Sequence, residues 1–208
     1  MSTRFVAVSG NIGAGKSTLV SYLCSRYGWT AIYEPFGENP YLDDFYADMG
    51  RWAFQSQTWF LARKVRIHLD LQEGLLRGSD VIVQDRTLYE DAEIFAAYLA
   101  ESGLMSARDW DTYQALYQSV RSALRPPDLV IHLGCSVRAI RRRVRQRGRP
   151  SEQGIPLAYL RALNGLYERW IDGWTESPVL RWDTERSDYL SDLAHRIDFH
   201  RAVERHIR

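Results

Sequence analysis

Cysteine is scarce in this chain: only Cys24 and Cys135 are present, far apart and both in apolar segments. They read as buried free thiols of a reducing compartment. Net charge is nearly absent too. Twenty-seven Lys and Arg against 26 Asp and Glu leave +1, which excludes a global field for nucleic acid or an anionic membrane. No apolar run is long enough to span a bilayer, and the first one begins too early for a signal peptide. There is no internal repeat, low-complexity tract or linker. The histidines show no metal-ligand spacing and read as structural. What remains is a globular chain of 208 residues, 45% hydrophobic and 25% charged. One α/β domain over residues 1–208 of a cytoplasmic enzyme is expected.

The most informative stretch is Gly10-Asn11-Ile12-Gly13-Ala14-Gly15-Lys16-Ser17-Thr18, directly after the apolar run Phe5-Val6-Ala7-Val8. It fits G-x-x-x-x-G-K-[ST] without a mismatch. Gly10, Gly13 and Gly15 permit positive φ, so successive N–H groups can turn inward onto an anion. A helix starting near Lys16 adds its positive dipole end. Lys16 would reach the β/γ-phosphates of ATP, and the Ser17 hydroxyl would hold Mg²⁺. The bland alternative is a Gly-rich turn with a chance lysine. An apolar strand before and an amphipathic segment after (Leu19, Val20, Leu23, Cys24) argue against it.

Apolar runs at 5–9, 31–34, 81–84, 129–134 and 179–183 lack the alternation of half-exposed strands. They are expected to be buried on both faces of a parallel sheet. Helices are expected over 51–76, 91–101, 107–124, 137–147, 156–174 and 189–207. Ligands of such sheets bind beyond the carboxyl ends of the strands. Glu34-Pro35 follows the second run, and Glu34 is a candidate base for an attacking hydroxyl. Asp85-Arg86-Thr87 follows the third. Asp85 is a candidate for Mg²⁺ or its waters, and Arg86 for the moving phosphoryl group. Asp183-Thr184-Glu185-Arg186 follows the fifth.

Each of these also has a plain structural reading: a solvated strand-end Glu, or an Asp–Arg surface pair worth ~0–1 kcal/mol. Residues 138–149 carry seven arginines, readable as a nucleic-acid patch, a solvated helix face or a phosphate clamp. Arg143, Arg147 and Arg149 lead into RGRPSEQG, the composition of a lid over residues 143–154. Near-neutral charge counts against nucleic acid. Trp52, Trp59, Tyr46, Phe54 and Phe95 fall near the strand ends. Most read as core, with one or two free to stack on a planar base.

With GNIGAGKST, YEP, ENPYL, FYADMGRWAFQSQ, QDRTLYEDAEIF, RQRGRPSEQGIPLAYL and YERW in order along nearly its whole length, the chain resembles the deoxynucleoside kinase family. Within it, the resemblance is to the bacterial deoxyadenosine/deoxyguanosine kinases. It implies a P-loop-kinase-type α/β fold, with a five-stranded parallel sheet flanked by helices and a lid. It also implies a homodimer, an ATP-type donor with Mg²⁺ and phosphorylation of a deoxynucleoside 5′-hydroxyl. Glu34 matches the base, Arg86 the acceptor-binding arginine, and Arg143, Arg147 and Arg149 the lid arginines. Tyr46 and Glu168 match the pair on the sugar 3′-hydroxyl. Gln57 matches the base-reading glutamine, Phe95 the stacking ring and Asp91 the acid beside the base. Residues 183–186 match the loop around the donor base.

Two positions depart from the family pattern. Lys64 stands where purine readers often carry arginine, on the Gln57 face of its helix, while Arg63 points aside. Ser56 stands where some members have phenylalanine, which would leave room for a two-ring base. Lys64 could neutralise Asp91 or donate to guanine O6. A purine is expected, adenine ahead of guanine, with deoxycytidine as an alternative. A nucleoside monophosphate kinase would need extra cations at the second strand exit, where Tyr33 precedes Glu34 and residues 36–39 add none. A guanine-nucleotide switch would need N-K-x-D, which is absent.

Overall fold

Three strands have almost no polar side to offer. β1 (Arg4–Ser9), β3 (Val81–Asp85) and β4 (Leu129–Gly134) are buried along nearly their whole length. Such strands are stable only with helices on both faces. A computed structural model, which describes residues 3–76 and 78–207, places them at the centre of a five-stranded sheet. All pairings are parallel and the order is β2-β3-β1-β4-β5. β2 (Thr30–Ile32) and β5 (Val179–Asp183) are the edges. Contrary to the sequence expectation, neither is buried on both faces. A neighbour on one side only leaves them partly in water. β2 also stops short of Glu34, since Pro35 has no N–H with which to continue the ladder.

Alternation along β1 divides the core. Val6 and Val8 pack with Leu19, Val20 and Leu23 of α1 (Lys16–Tyr27) and with Phe199 and Val203 of α9 (Leu193–Ile207). Ala7 points the other way, onto Ile171 of α8 (Leu157–Gly173). A third cluster joins α3 (Met49–Gln72) to α6 (Ala107–Arg121) through Leu61, Tyr113 and Tyr117. Each buried Val, Leu, Ile or Phe among them contributes ~1.5–3 kcal/mol, more than an exposed ion pair supplies. Cys24 and Cys135 are free but only half-buried, at the margin of the α1–α9 layer. Among the described residues no helix is long and apolar enough to cross a membrane.

Helix boundaries follow caps. Asp48 accepts from the Arg51 N–H, so α3 opens at Met49, two residues before the predicted start. α2 (Leu42–Ala47) precedes it. Asp188 accepts from the Leu190 and Ser191 N–H groups, and the resulting turn delays α9 to Leu193. The segment predicted as one helix over 91–101 begins earlier, as α4 (Leu88–Glu90) with a Thr87–Glu90 capping box. It widens into a π turn (Asp91–Ala96) before α5 (Ala97–Glu101). Ser136 caps α7 (Val137–Arg147), which Gly148 ends at φ 70°.

Gly10 carries the junction between β1 and the phosphate-binding loop. Its φ is 144°, and a Cβ there would lie 2.7 Å from the Leu133 carbonyl oxygen. Strain of roughly 2 kcal/mol should lower Tm by about 4–8 °C in Gly10→Ala, measured by calorimetry. An unchanged Tm would show that the loop can shift aside.

Candidate active site

The loop from Gly10 to Thr18 is built by its own side chains as well as its glycines. Asn11 Oδ1 accepts from the Ile12 N–H at 2.8 Å, and Asn11 Nδ2 donates to the Leu160 carbonyl at 3.0 Å, anchoring the loop to α8. Gly15, at φ 104°, is the N-cap of α1. The Lys16 ammonium donates to the Asn11 carbonyl at 3.1 Å. Burial, aided by Arg86, lowers its pKa to about 8 against the attraction of Asp85, Glu34 and Glu90. A concave run of N–H groups closed by a lysine is an anion site.

Two strand exits meet beside it. Arg86 has φ 57°, the one positive φ outside glycine among the described residues. Such strain is held where surrounding contacts over-determine it. Its Nη1 donates to both carboxylate oxygens of Glu34, at 2.7 and 2.9 Å, and its guanidinium lies 4.4 Å from the Phe95 ring centre. Lys64, with no exposed side-chain surface, reaches from α3 to Asp91 at 2.7 Å and to Glu34 at 3.5 Å. Burial alone would raise the Glu34 pKa, but Arg86, Lys64 and Lys16 outweigh it and hold the carboxyl at about 2. Asp91 is pushed up by burial and by the Glu34 charge, against Lys64.

A cleft of about 250 Å³ opens over these groups, lined by Lys16, Ser17, Glu34, Asp85, Arg86 and Asp91 at its polar end. Tyr46, Gln57, Phe60, Phe95 and Tyr159 form the rest of the wall. Gln57 Oε1 is buried in the wall with no hydrogen-bond partner. Asp91 and Phe95 come from the π turn, a device often found where a helix serves a site.

Several expectations are corrected. Lys64 does not line the cleft; it stands behind Asp91 and Glu34 and can meet a ligand only through them. Ser56 does not shape the cleft either, since its hydroxyl receives the Asn39 amide at 3.1 Å. Glu168 is exposed and faces a separate hollow with His132 and Arg181, away from Tyr46. The carboxylate beside Tyr46 is Glu152, which lines the cleft and receives Arg149 at 3.2 Å and Arg147 through both its Nε and Nη2. Arg63 turns aside as predicted, onto Glu38 at 2.8 Å.

A second opening, about 700 Å³, lies on the far side of the loop. It is lined by Gly13, Gly15, Thr18, Arg143, Arg147, Thr184 and Glu185. Arg143 pins the loop to the β5 exit, donating to the Ala14 carbonyl at 3.2 Å and to Thr184 Oγ1 at 2.8 Å. Asp183 and Arg186 do not face this opening. Asp183 accepts the Glu185 and Arg186 N–H groups, and both residues turn to the Glu168 hollow. The segment after α7 folds back as a short 3₁₀ turn (Pro150–Glu152) that sets Arg149 over Phe36, 3.8 Å from the ring centre.

The fit of a divalent cation can be judged from Ser17 and Asp85. Ser17 Oγ donates to Asp85 Oδ2 at 2.5 Å, while Asp85 Oδ1 is buried without a partner. A hydroxyl and an unsatisfied carboxylate oxygen at the loop suit Mg²⁺ carried with a triphosphate.

Two acidic residues of the site were missed in the sequence, as were aromatic wall residues such as Phe60 and Tyr159. Glu152 could have been found from its spacing, three residues after Arg149 in the lid. Glu90 is buried and bonded to the loop, and its signal was the capping-box pattern Thr87-x-x-Glu90.

A model of the family "Deoxynucleoside kinase" matches residues 6–208. The deoxyadenosine/deoxycytidine kinase of Bacillus subtilis is 38% identical over 189 residues, covering 90% of this chain and 85% of that protein. The deoxyguanosine kinase of the same organism is 30% identical over 205 residues, covering 98% and 96%. Among solved structures, the deoxyadenosine kinase from M. mycoides with bound dATP superposes with a TM-score of 0.80 at 29% identity. That match covers 94% of this chain and 96% of the other.

The lowered Lys16 pKa has a measurable sign. Near pH 8 the free ammonium is half titrated, and an anion in the loop restores it. Binding of an ATP analogue at that pH should take up roughly half a proton, falling towards zero by pH 6. Calorimetry in buffers of different ionisation enthalpy measures it; proton release would contradict the placement of Lys16.

Proposed function

Because the chain belongs to the deoxynucleoside kinase family, and is a phosphotransferase, we propose that it moves the γ-phosphoryl group of ATP to the 5′-hydroxyl of deoxyadenosine. The observation that carries the base is the acceptor-rich wall of the cleft. Gln57 Oε1 is unpaired and the Asp91 carboxylate lines the same space. Both seek N–H donors, which the adenine N6 amine offers and a thymine carbonyl does not. Lys64 lies too deep to donate to guanine O6, which lowers guanine. Deoxycytidine is the second reading, since its N4 amine satisfies the same acceptors and one relative is named for both substrates.

In this reading Glu34 receives the 5′-hydroxyl proton. A carboxylate held below its usual range by Arg86, Lys64 and Lys16 is a weak base, which suits a loose phosphoryl transition state that asks little of the base. Arg86 and Lys16 face the charge on the moving group. Ser17 and Asp85 would hold Mg²⁺, which neutralises phosphate charge when bound. Phe95 flanks the base, and Tyr46 with Glu152, in place of Glu168, reads the 3′-hydroxyl. The ATP base would enter the second opening beside Arg143, Thr184 and Glu185, with residues 143–154 as the lid. The same reading takes the chain as one cytoplasmic domain, consistent with its free cysteines, and as a homodimer.

The deciding experiment is kcat/KM for deoxyadenosine, deoxyguanosine, deoxycytidine, thymidine and 2′,3′-dideoxyadenosine with ATP. Deoxyadenosine should lead and the dideoxy compound should be far poorer, because its absent hydroxyl leaves polar groups unpaired. Thymidine in first place would refute the role of Asp91. Glu34→Gln should retain ATP binding and lower kcat by roughly 10²-fold or more. Activity within a few-fold of wild type would refute the base.

A further inference from the structure

The reading of the site leaves one buried carboxylate without a role. Glu90 has no exposed surface. Its Oε1 accepts the N–H of Gly10 at 3.3 Å and the hydroxyl of Tyr167 at 3.2 Å. Its Oε2 accepts the N–H of Thr87 at 3.0 Å. Gly10 opens the phosphate-binding loop at the β1 exit. Thr87 follows Arg86 at the β3 exit and caps α4, the short helix leading to Asp91.

One carboxylate therefore ties the loop that would hold the donor to the turn that would hold the acceptor. Neighbouring contacts agree with a rigid joint: the Arg86 N–H donates to the Val8 carbonyl at 3.1 Å, extending the β1–β3 pairing past Asp85. In-line transfer is sensitive to misplacement on the order of 1 Å. We propose that Glu90 is a positioning residue that fixes the separation between the donor loop and the acceptor-binding turn. Resting on the assignment of Lys16, Arg86 and Glu34, it deepens that assignment without touching substrate.

The substitution that isolates this role is Glu90→Gln. The amide has the same shape, but its NH₂ must face one of the two backbone N–H groups, so one side of the joint opens. With ATP and the best acceptor of the wild type, four quantities are read: kcat, the two KM values, and deoxynucleotide formed per ATP lost to water. In the variant kcat should fall about 10- to 100-fold while each KM stays within about threefold. Product per hydrolysed ATP should fall at least about fivefold, since water can attack a donor whose intended acceptor is out of line.

In the folded variant, transfer and hydrolysis lowered together with their ratio unchanged would overturn the proposal. So would a kcat within twofold of wild type, or a change confined to KM. Should Glu90→Gln not fold, Glu90→Asp serves instead. It keeps the carboxylate but ends one methylene short, so it cannot reach Gly10 and Thr87 together, and should lower the same ratio by about two- to fivefold; a wild-type ratio there overturns the proposal. Wild-type turnover with any deoxynucleoside is the control: without it the kinase reading fails, whereas a normal wild type beside unaltered variants removes only Glu90.

Discussion

Arg86 keeps a left-handed backbone and a buried guanidinium because Glu34 meets it with both oxygens. Each feature alone is costly. A strained φ costs on the order of 1–3 kcal/mol, and a buried charge without its partner ~3–5 kcal/mol. Together they join the exit of edge strand β2 to that of central strand β3. Lys64 from α3 and Asp91 from the π turn complete the group. At this end of the sheet four elements are joined by alternating charges.

The cations of the cleft are stored in pairs. Arg147 and Arg149 both bond to Glu152, Arg86 to Glu34, and Lys16 to the Asn11 carbonyl. An arriving phosphate has to compete with these partners. In the proposed reading, a triphosphate meets several of these cations at once and exchanges their present partners for its own oxygens.

Much of this site was legible in the sequence, for local reasons. The phosphate-binding loop is defined by its own glycines and lysine, and Glu34 and Arg86 follow short apolar runs that read as strands. Side-chain direction was not legible. Glu168 is one residue from Tyr167, yet about 100° of helical rotation carries it from a buried face to solvent. Lys64 shares a face with Gln57, but the depth at which its chain ends depends on Asp91, which is remote in sequence. Asp183 and Arg186 turn away because Asp183 caps its own turn. The exposure of β2 and β5 depends on strand order, which no single segment encodes.

Glu34 hangs from the weakest strand of the sheet. β2 is three residues long, half-buried, and paired to β3 alone. Proteins open piecemeal, and edges with few buried contacts open at lower free energy than the centre. Fraying of β2 withdraws the carboxylate while β3, β1 and β4 stay intact. The site's tolerance to heat or denaturant is therefore expected to be that of an edge, with inactivation ahead of loss of the folded core.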